Sequence, residues 1–127
     1  MPTKLQVLRR HAIERQAWRC WNCIVRKWLT TPDELPGARQ PVAGAGLLKC
    51  TAEHLLARVD GGLDTSENVV AACGRCNWTR HKRKRPPPPP PQAYRAEVAR
   101  RTMRGTWHDR WVFEKNVVAV GRLGVKH

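Results

Sequence analysis

Two C-x-x-C pairs, Cys20-Trp21-Asn22-Cys23 and Cys73-Gly74-Arg75-Cys76, bracket the middle of this 127-residue chain. Within each pair a tight turn lets both sulfurs face one ion, because the backbone amides of the turn point back at the thiolates. Four thiolates from Cys20, Cys23, Cys73 and Cys76 are the ligand set of a closed, tetrahedral structural zinc site. One such pair is a weak signal; two bracketing a compact segment are a strong one. With sulfur in all four positions no coordination site is left for water, so this zinc is expected to be a staple and not a catalytic ion. A short chain builds only a modest core and gains from such a cross-link. The fifth cysteine, Cys50, lies in an apolar run and reads as a small buried hydrophobe.

The paired cysteines also bear on compartment. No apolar segment of signal-peptide length opens the chain, and paired thiols in that setting indicate metal binding over disulfides, hence a cytoplasmic protein. No stretch approaches the roughly 18 apolar residues a membrane helix requires, so no membrane partner is expected.

Between and around the cysteines the pattern is that of a small α+β domain. Leu5, Leu8, Ile13 and Ala17 recur near helical spacing and predict a helix from Lys4 to about Trp18. Trp18, Trp21 and Trp28 around the first knuckle read as hydrophobic cover rather than as stacking platforms for bases. Three prolines and three glycines mark residues 30–46 as a loop insertion. Leu47 to Ala52 reads as a strand delivering Glu53-His54, and a loop closed by Gly61-Gly62 runs on to Glu67. Asn68 to Ala72 reads as a second strand, and Arg75 to Lys84 as a helix. The expected core is therefore strand–loop–strand–helix, a zinc-stabilised ββα unit. The predicted division is a first domain over 1–85 (core 18–84), a polyproline spacer over 86–91, and a basic helix with an apolar tail over 92–127. Within that last part the helix is expected from Gln92 to about Arg104. Trp111-Val112-Phe113 and Val117 to Val120 are apolar enough to pack against something.

The net charge of +14 and pI of about 10.8 make a polyanion the natural partner. Arg75, Arg80, Lys82, Arg83, Lys84 and Arg85 form the densest positive run, and Arg100 and Arg101 add to it on the second basic helix. Such groups contact phosphates and position nucleic acid without reading its sequence. The alternative for each is a solvated charged face.

Chemistry other than the staple must come from the remaining polar groups. Adjacent residues on an extended strand point to opposite sides, so Glu53 and His54 can act together only if the strand breaks there; a break is expected where strand passes into loop. Asn77 and His81, four apart, share one face of the helix. Cys76 lies about 100° around from Asn77, so one helix can offer sulfur to the zinc and Asn77 with His81 to a second ion.

The order C-x-x-C, Glu53-His54, Gly61-Gly62, Asn68, then C-x-x-C-N-x-x-x-H resembles the HNH endonucleases of the ββα-metal nuclease group, over about Trp18 to Lys84. The resemblance implies a DNA endonuclease in which His54 is the general base that activates water. It implies that Glu53, Asn77 and His81 ligate a catalytic divalent cation, and that Asn68 fixes the loop and orients the His54 ring by a hydrogen bond. Glu53 stands where many members carry Asp or His, and Asn77 is a neutral oxygen donor. An oxygen-rich set of this kind favours Mg²⁺ or Mn²⁺, with Ni²⁺ or Zn²⁺ as alternatives. The cation would stabilise phosphate and leaving group, with Arg80 or a neighbouring cation on the phosphate. The implied partner is double-stranded DNA; a homodimer, or a larger phage or defence complex, is left open. A non-catalytic zinc-stabilised DNA- or RNA-binding module is the competing reading.

Overall fold

The computed structural model describes residues 1–35, 45–82 and 88–108. The fold is α+β. Helix α1 (Lys4–Arg15) precedes the first cysteine knuckle, strand β1 (Cys50–His54) pairs antiparallel with β2 (Val69–Cys73), and helices α2 (Gly74–His81) and α3 (Pro91–Met103) follow. Among the described residues no helix is long and apolar enough to cross a membrane. Arg83, Lys84, Arg85, the loop at 36–44 and the apolar tail from 109 onward lie outside the described residues.

Helix α1 begins with a capping box: the Thr3 hydroxyl accepts from the Gln6 amide at 3.1 Å, and the Thr3 amide donates to Gln6 Oε1 at 2.8 Å. It stops at Arg15, three residues short of the predicted Trp18, because Ala17 and Trp18 both take left-handed backbone angles (φ 55° and 64°). Gln16 is thereby turned onto the free edge of β2, where its amide donates to Ala71 O at 2.9 Å and accepts from Ala71 N at 3.0 Å. One side chain thus pairs the outer edge of a two-stranded sheet as a third strand would, and covers an edge otherwise open to intruders. Beneath α1, Ala12 and Ile13 pack with Leu29, Cys50 and Ala71, with Trp18 at the margin.

The predicted first strand lies a little later in the chain. Ala45–Leu48 form a 3₁₀ turn, and the strand runs from Cys50 through His54. The expected break at Glu53-His54 is therefore absent: both are strand residues, opposite Val70 and Val69, and they alternate sides as the pleat dictates.

Across the 14 residues between the strands, 55–68, the Asn68 side-chain amide clamps the start of the loop to its end. Asn68 Oδ1 accepts from the Leu56 amide at 2.8 Å, and Asn68 Nδ2 donates to Leu56 O and Leu63 O, each at 3.0 Å. The closing turn presses Gly62 against this clamp. A Cβ at Gly62 would lie 1.7 Å from Leu56 O and 2.9 Å from Asn68 Nδ2, distances no side chain tolerates.

α2 is shorter than predicted, and Cys73 Sγ caps it by accepting from the Cys76 amide at 3.5 Å. α3 starts on Pro91 at its first position, where a missing N–H costs nothing. It ends in a Schellman turn: Gly105 (φ 73°) donates to Thr102 O, and Thr106 donates to Arg101 O. Tyr94, Val98 and Trp107 are buried in the same core as the four cysteines, with Ile24, Val25, Trp28, Leu35, Leu48 and Ala72. Tyr94 donates its hydroxyl to Cys76 O at 2.7 Å and meets Trp107 edge-on. Helix α3 is thus packed into the core.

Because the clash at Gly62 is with backbone, Gly62→Ala must reopen the Asn68 clamp. The expected loss is about 2 kcal/mol or more, read as a fall in denaturation midpoint with unchanged zinc content. Wild-type stability in Gly62→Ala would show that the loop is not closed in this way.

Candidate functional site

The four cysteine sulfurs lie within 4.8 Å of one another and all are buried. Each knuckle is wound so that donors point at sulfur. Cys20 Sγ accepts from the amides of Asn22 (3.3 Å), Cys23 (3.5 Å) and Cys73 (3.4 Å). The first knuckle requires Ile24 at φ 61°, a left-handed conformation costing a β-branched residue roughly 1–2 kcal/mol. It is retained because Ile24 is buried against the cluster and its amide is bound to Cys20 O at 3.0 Å. Two side chains from beyond α3 complete the shell: Trp107 Nε1 donates to Cys76 Sγ at 3.3 Å, and His108 Nε2 lies 3.1 Å from Cys23 Sγ.

Without a cation these thiols cannot ionise together. Burial pushes the Cys23 and Cys76 thiols well above their ordinary value, whereas hydrogen bonds from the other three outweigh burial at Cys73 and carry it well below. A bound Zn²⁺ would deprotonate all four. The site also holds a counter-charge: Lys27 is 1% exposed and its Nζ has no hydrogen-bond partner. Burial disfavours that ammonium, but the surrounding cysteines more than offset it and raise its pKa. Donor set, spacing and charge all fit zinc, held by Cys20, Cys23, Cys73 and Cys76. Among the described residues this is the one group of three or more His, Cys, Asp or Glu side chains whose ligand atoms converge.

Glu53 and Arg80 occupy a second buried centre. Glu53 Oε2 accepts from Arg80 NH1 at 2.7 Å and Oε1 from Asn22 Nδ2 at 2.9 Å, with the two charged side chains 1% and 5% exposed. Arg80 also donates to the carbonyls of His54 (3.4 Å), Leu55 (3.2 Å) and Pro89 (3.2 Å). It ties together the end of β1, the interstrand loop and the approach to α3, and so is not presented to phosphate. Both Glu53 oxygens are engaged, one of them by a cation.

His54 leaves the other side of the strand. Its Nε2 lies 2.8 Å from Asp64 Oδ1. Asp64 is held in turn by Arg58, through Nε at 3.2 Å and NH2 at 2.9 Å. The hydrogen bonds from His54 and then Arg58 hold the Asp64 carboxyl below its usual range. A depressed carboxylate pKa stabilises the fold above the unfolded value of about 3.9, and this contribution is lost as pH falls through the folded value. The hydrogen bonds of Asn68 go to Leu56 and Leu63, so the residue touching the His54 ring is Asp64.

Asn77 and His81 share a face of α2 and, with Thr51, Gly74, Trp78 and Lys82, line a hollow of about 410 Å³. Asn77 Nδ2 donates to Thr51 Oγ1 at 3.1 Å and to Ala52 O at 3.4 Å. His81 is half-buried, and desolvation followed by the Arg80 charge lowers its pKa. Of the expected cation ligands, Asn77 and His81 thus line one hollow, whereas Glu53 is committed to Asn22 and Arg80 in the buried centre. Of the expected phosphate contacts, Arg75 lies over the Trp107 ring (5.3 Å to the centroid) and Lys82 is exposed. Arg100 and Arg101 are exposed and paired with Glu97.

A family model described as HNH endonuclease matches residues 42–83, about a third of the chain. The chain is similar to that family over this span. No curated protein and no solved structure matches. The matched span contains β1, the clamped loop, β2 and all of α2, but not the first knuckle, α1 or α3.

Asp64, Asn22, Lys27, Trp107 and His108 were missed in the sequence reading. Asp64 carried a usable signal: an acid two residues beyond Gly-Gly, in a loop that returns to the strand bearing the histidine. Asn22, Trp107 and His108 are 31 to 85 residues from what they touch, and Lys27, though four residues from Cys23, carries no local sign that it is buried.

Two outcomes follow. Replacing one zinc ligand, as in Cys73→Ser, is expected to abolish stoichiometric zinc and cooperative unfolding, since metal binding and folding are one process at such sites; metal analysis with thermal melts reads both. Glu53→Ala and Arg80→Met should each cost about 3–5 kcal/mol by stranding a buried charge, with strong coupling in the double variant. Melting of Glu53→Ala at the wild-type temperature would show that the pair does not carry stability.

Proposed function

We propose that the chain is a zinc-stapled nuclease that hydrolyses phosphodiester bonds in nucleic acid. The observation carrying this is the His54–Asp64 pair, joining the end of β1 to the interstrand loop, within the span similar to HNH endonucleases. An ionised Asp64 can only accept, so Nε2 of His54 carries the hydrogen and Nδ1 holds the lone pair. Water attacking phosphorus gives its proton to Nδ1, and the imidazolium that forms is stabilised by the Asp64 carboxylate. Arg58, exposed and oriented by Asp64, offers its remaining N–H groups to a phosphate oxygen. The leaving 3′ oxygen takes a proton from solvent.

The divalent-cation site expected from Glu53, Asn77 and His81 does not fit the arrangement, because Glu53 is committed to Arg80 and Asn22. That commitment also favours the second reading, a zinc-stabilised nucleic-acid-binding module. The surplus of cations, +14 overall, serves phosphate binding in either case.

Cleavage of supercoiled plasmid and of a labelled oligonucleotide decides between them. The assay compares wild type, His54→Ala and Asp64→Asn in EDTA, Mg²⁺, Mn²⁺, Ni²⁺ and Zn²⁺. Wild type is expected to cut in at least one condition, His54→Ala to lose about 10²–10⁴-fold, and Asp64→Asn to lose less while binding equally well. Binding without cutting in every condition assigns the binding-module reading; equal cutting by wild type and His54→Ala removes His54 as the base.

A further inference from the structure

Five tryptophans lie among the described residues, and four have a role in the fold. Trp28 is buried in the main core, Trp107 donates to Cys76, and Trp18 packs beside Ala12 and Ile13. Trp21 lies under the Arg95 guanidinium, 4.4 Å from its ring centroid. Trp78 is different: it is 66% exposed, on the open face of α2, and contributes to neither core. Among the described residues its one ring contact is the ammonium of Lys82, itself an exposed residue, so most of this large apolar ring is left to solvent.

The surroundings indicate the ligand. The hollow beside Trp78 has about 410 Å³, within the roughly 300–1,000 Å³ of small-ligand sites. No acidic side chain lines it. The Lys82 ammonium lies over the Trp78 ring, 5.2 Å from its centroid; a base stacked on the ring takes the other face or displaces this exposed side chain, whose charge then meets the adjoining phosphate. On the polar wall, Asn77 spends its amide N–H groups on Thr51 and Ala52, which leaves Oδ1 as an acceptor; the His81 ring stands one turn further on.

We propose that this hollow binds an unpaired nucleobase of the nucleic acid, stacked on Trp78 with its polar edge toward Asn77 and His81 and its phosphate toward Lys82. A base inside an intact duplex has no free face, so the occupant comes from a single strand, loop, mismatch or end. The proposal rests on the nucleic-acid reading of the chain and not on cleavage. It redirects the expected partner from plain duplex to a substrate with unpaired bases.

The test is fluorescence anisotropy with wild type, Trp78→Ala and Trp78→Phe. The probes are one single-stranded sequence as DNA and as RNA, the same DNA backbone lacking bases, and a blunt duplex; zinc content and melting temperature are checked for each protein. Trp78→Ala is expected to weaken single-strand binding about 5- to 150-fold, from the roughly 1–3 kcal/mol of one stacked base. Trp78→Phe should keep most of the affinity, the salt slope should not change, and on the base-free backbone all three proteins should bind alike. Equal single-strand binding by Trp78→Ala, or an equal loss on the base-free backbone, overturns the stacking site while leaving nucleic-acid binding intact. Wild type that binds no probe overturns both.

Discussion

Four sulfurs within 4.8 Å, none open to solvent, can ionise together only with a cation among them. The rest of the chain is disposed around that condition. The first knuckle accepts a left-handed isoleucine to aim its amides at Cys20, β2 ends where its last residue becomes a ligand, and α2 starts from that same ligand as its cap. Four bonds to one ion also add a negative excess that must be answered, and Lys27 answers it from inside the protein. The long-range contacts made by Trp107 and His108 bring the end of α3 into the same centre, so metal, core and C-terminal helix form one cooperative object.

The Glu53–Arg80 pair is the second fixed point, and it joins the staple to the loop. Asn22, from the first knuckle, holds one oxygen of Glu53; Arg80, from α2, holds the other and reaches the carbonyls at the start of the interstrand loop. Strand alternation does the rest. With Glu53 drawn inward, His54 must leave the opposite side, into the space where the loop returns Asp64. The position of the proposed base is therefore a consequence of a buried ion pair one residue away.

Local pattern made much of this legible. The cysteine spacing, the strand–loop–strand–helix order and the Gly61-Gly62 turn are all local signals, and each appears in the fold within a few residues of its expected place. What could not be read were partnerships across large sequence separations. Whether Glu53 faces an ion or an arginine is decided by the position of Arg80, 27 residues away, and nothing in the Glu53-His54 dipeptide encodes it. The basic character of Arg80 invited a phosphate role, yet a guanidinium can equally be consumed by one carboxylate and three carbonyls, and here it is. Likewise α3 looked like a tethered basic helix because its arginines dominate its composition. Its packing is set instead by Tyr94, Val98 and Thr102, four apart on the buried face.

The groups that carry stability and the groups proposed to carry chemistry are thus placed in different parts of the fold. The thiolate centre and the ion pair are closed, dry and mutually dependent, and a change in either is felt as unfolding. His54 stands at the end of β1, Asp64 and Arg58 on the loop and Trp78 on the open face of α2, all outside that framework. Such a division allows the loop and the α2 face to vary in chemistry while the staple keeps their geometry. It also explains why a metal-rich sequence need not be a metal-driven catalyst: the ion this chain is best equipped to hold is the one that its sulfur ligands seal away from water.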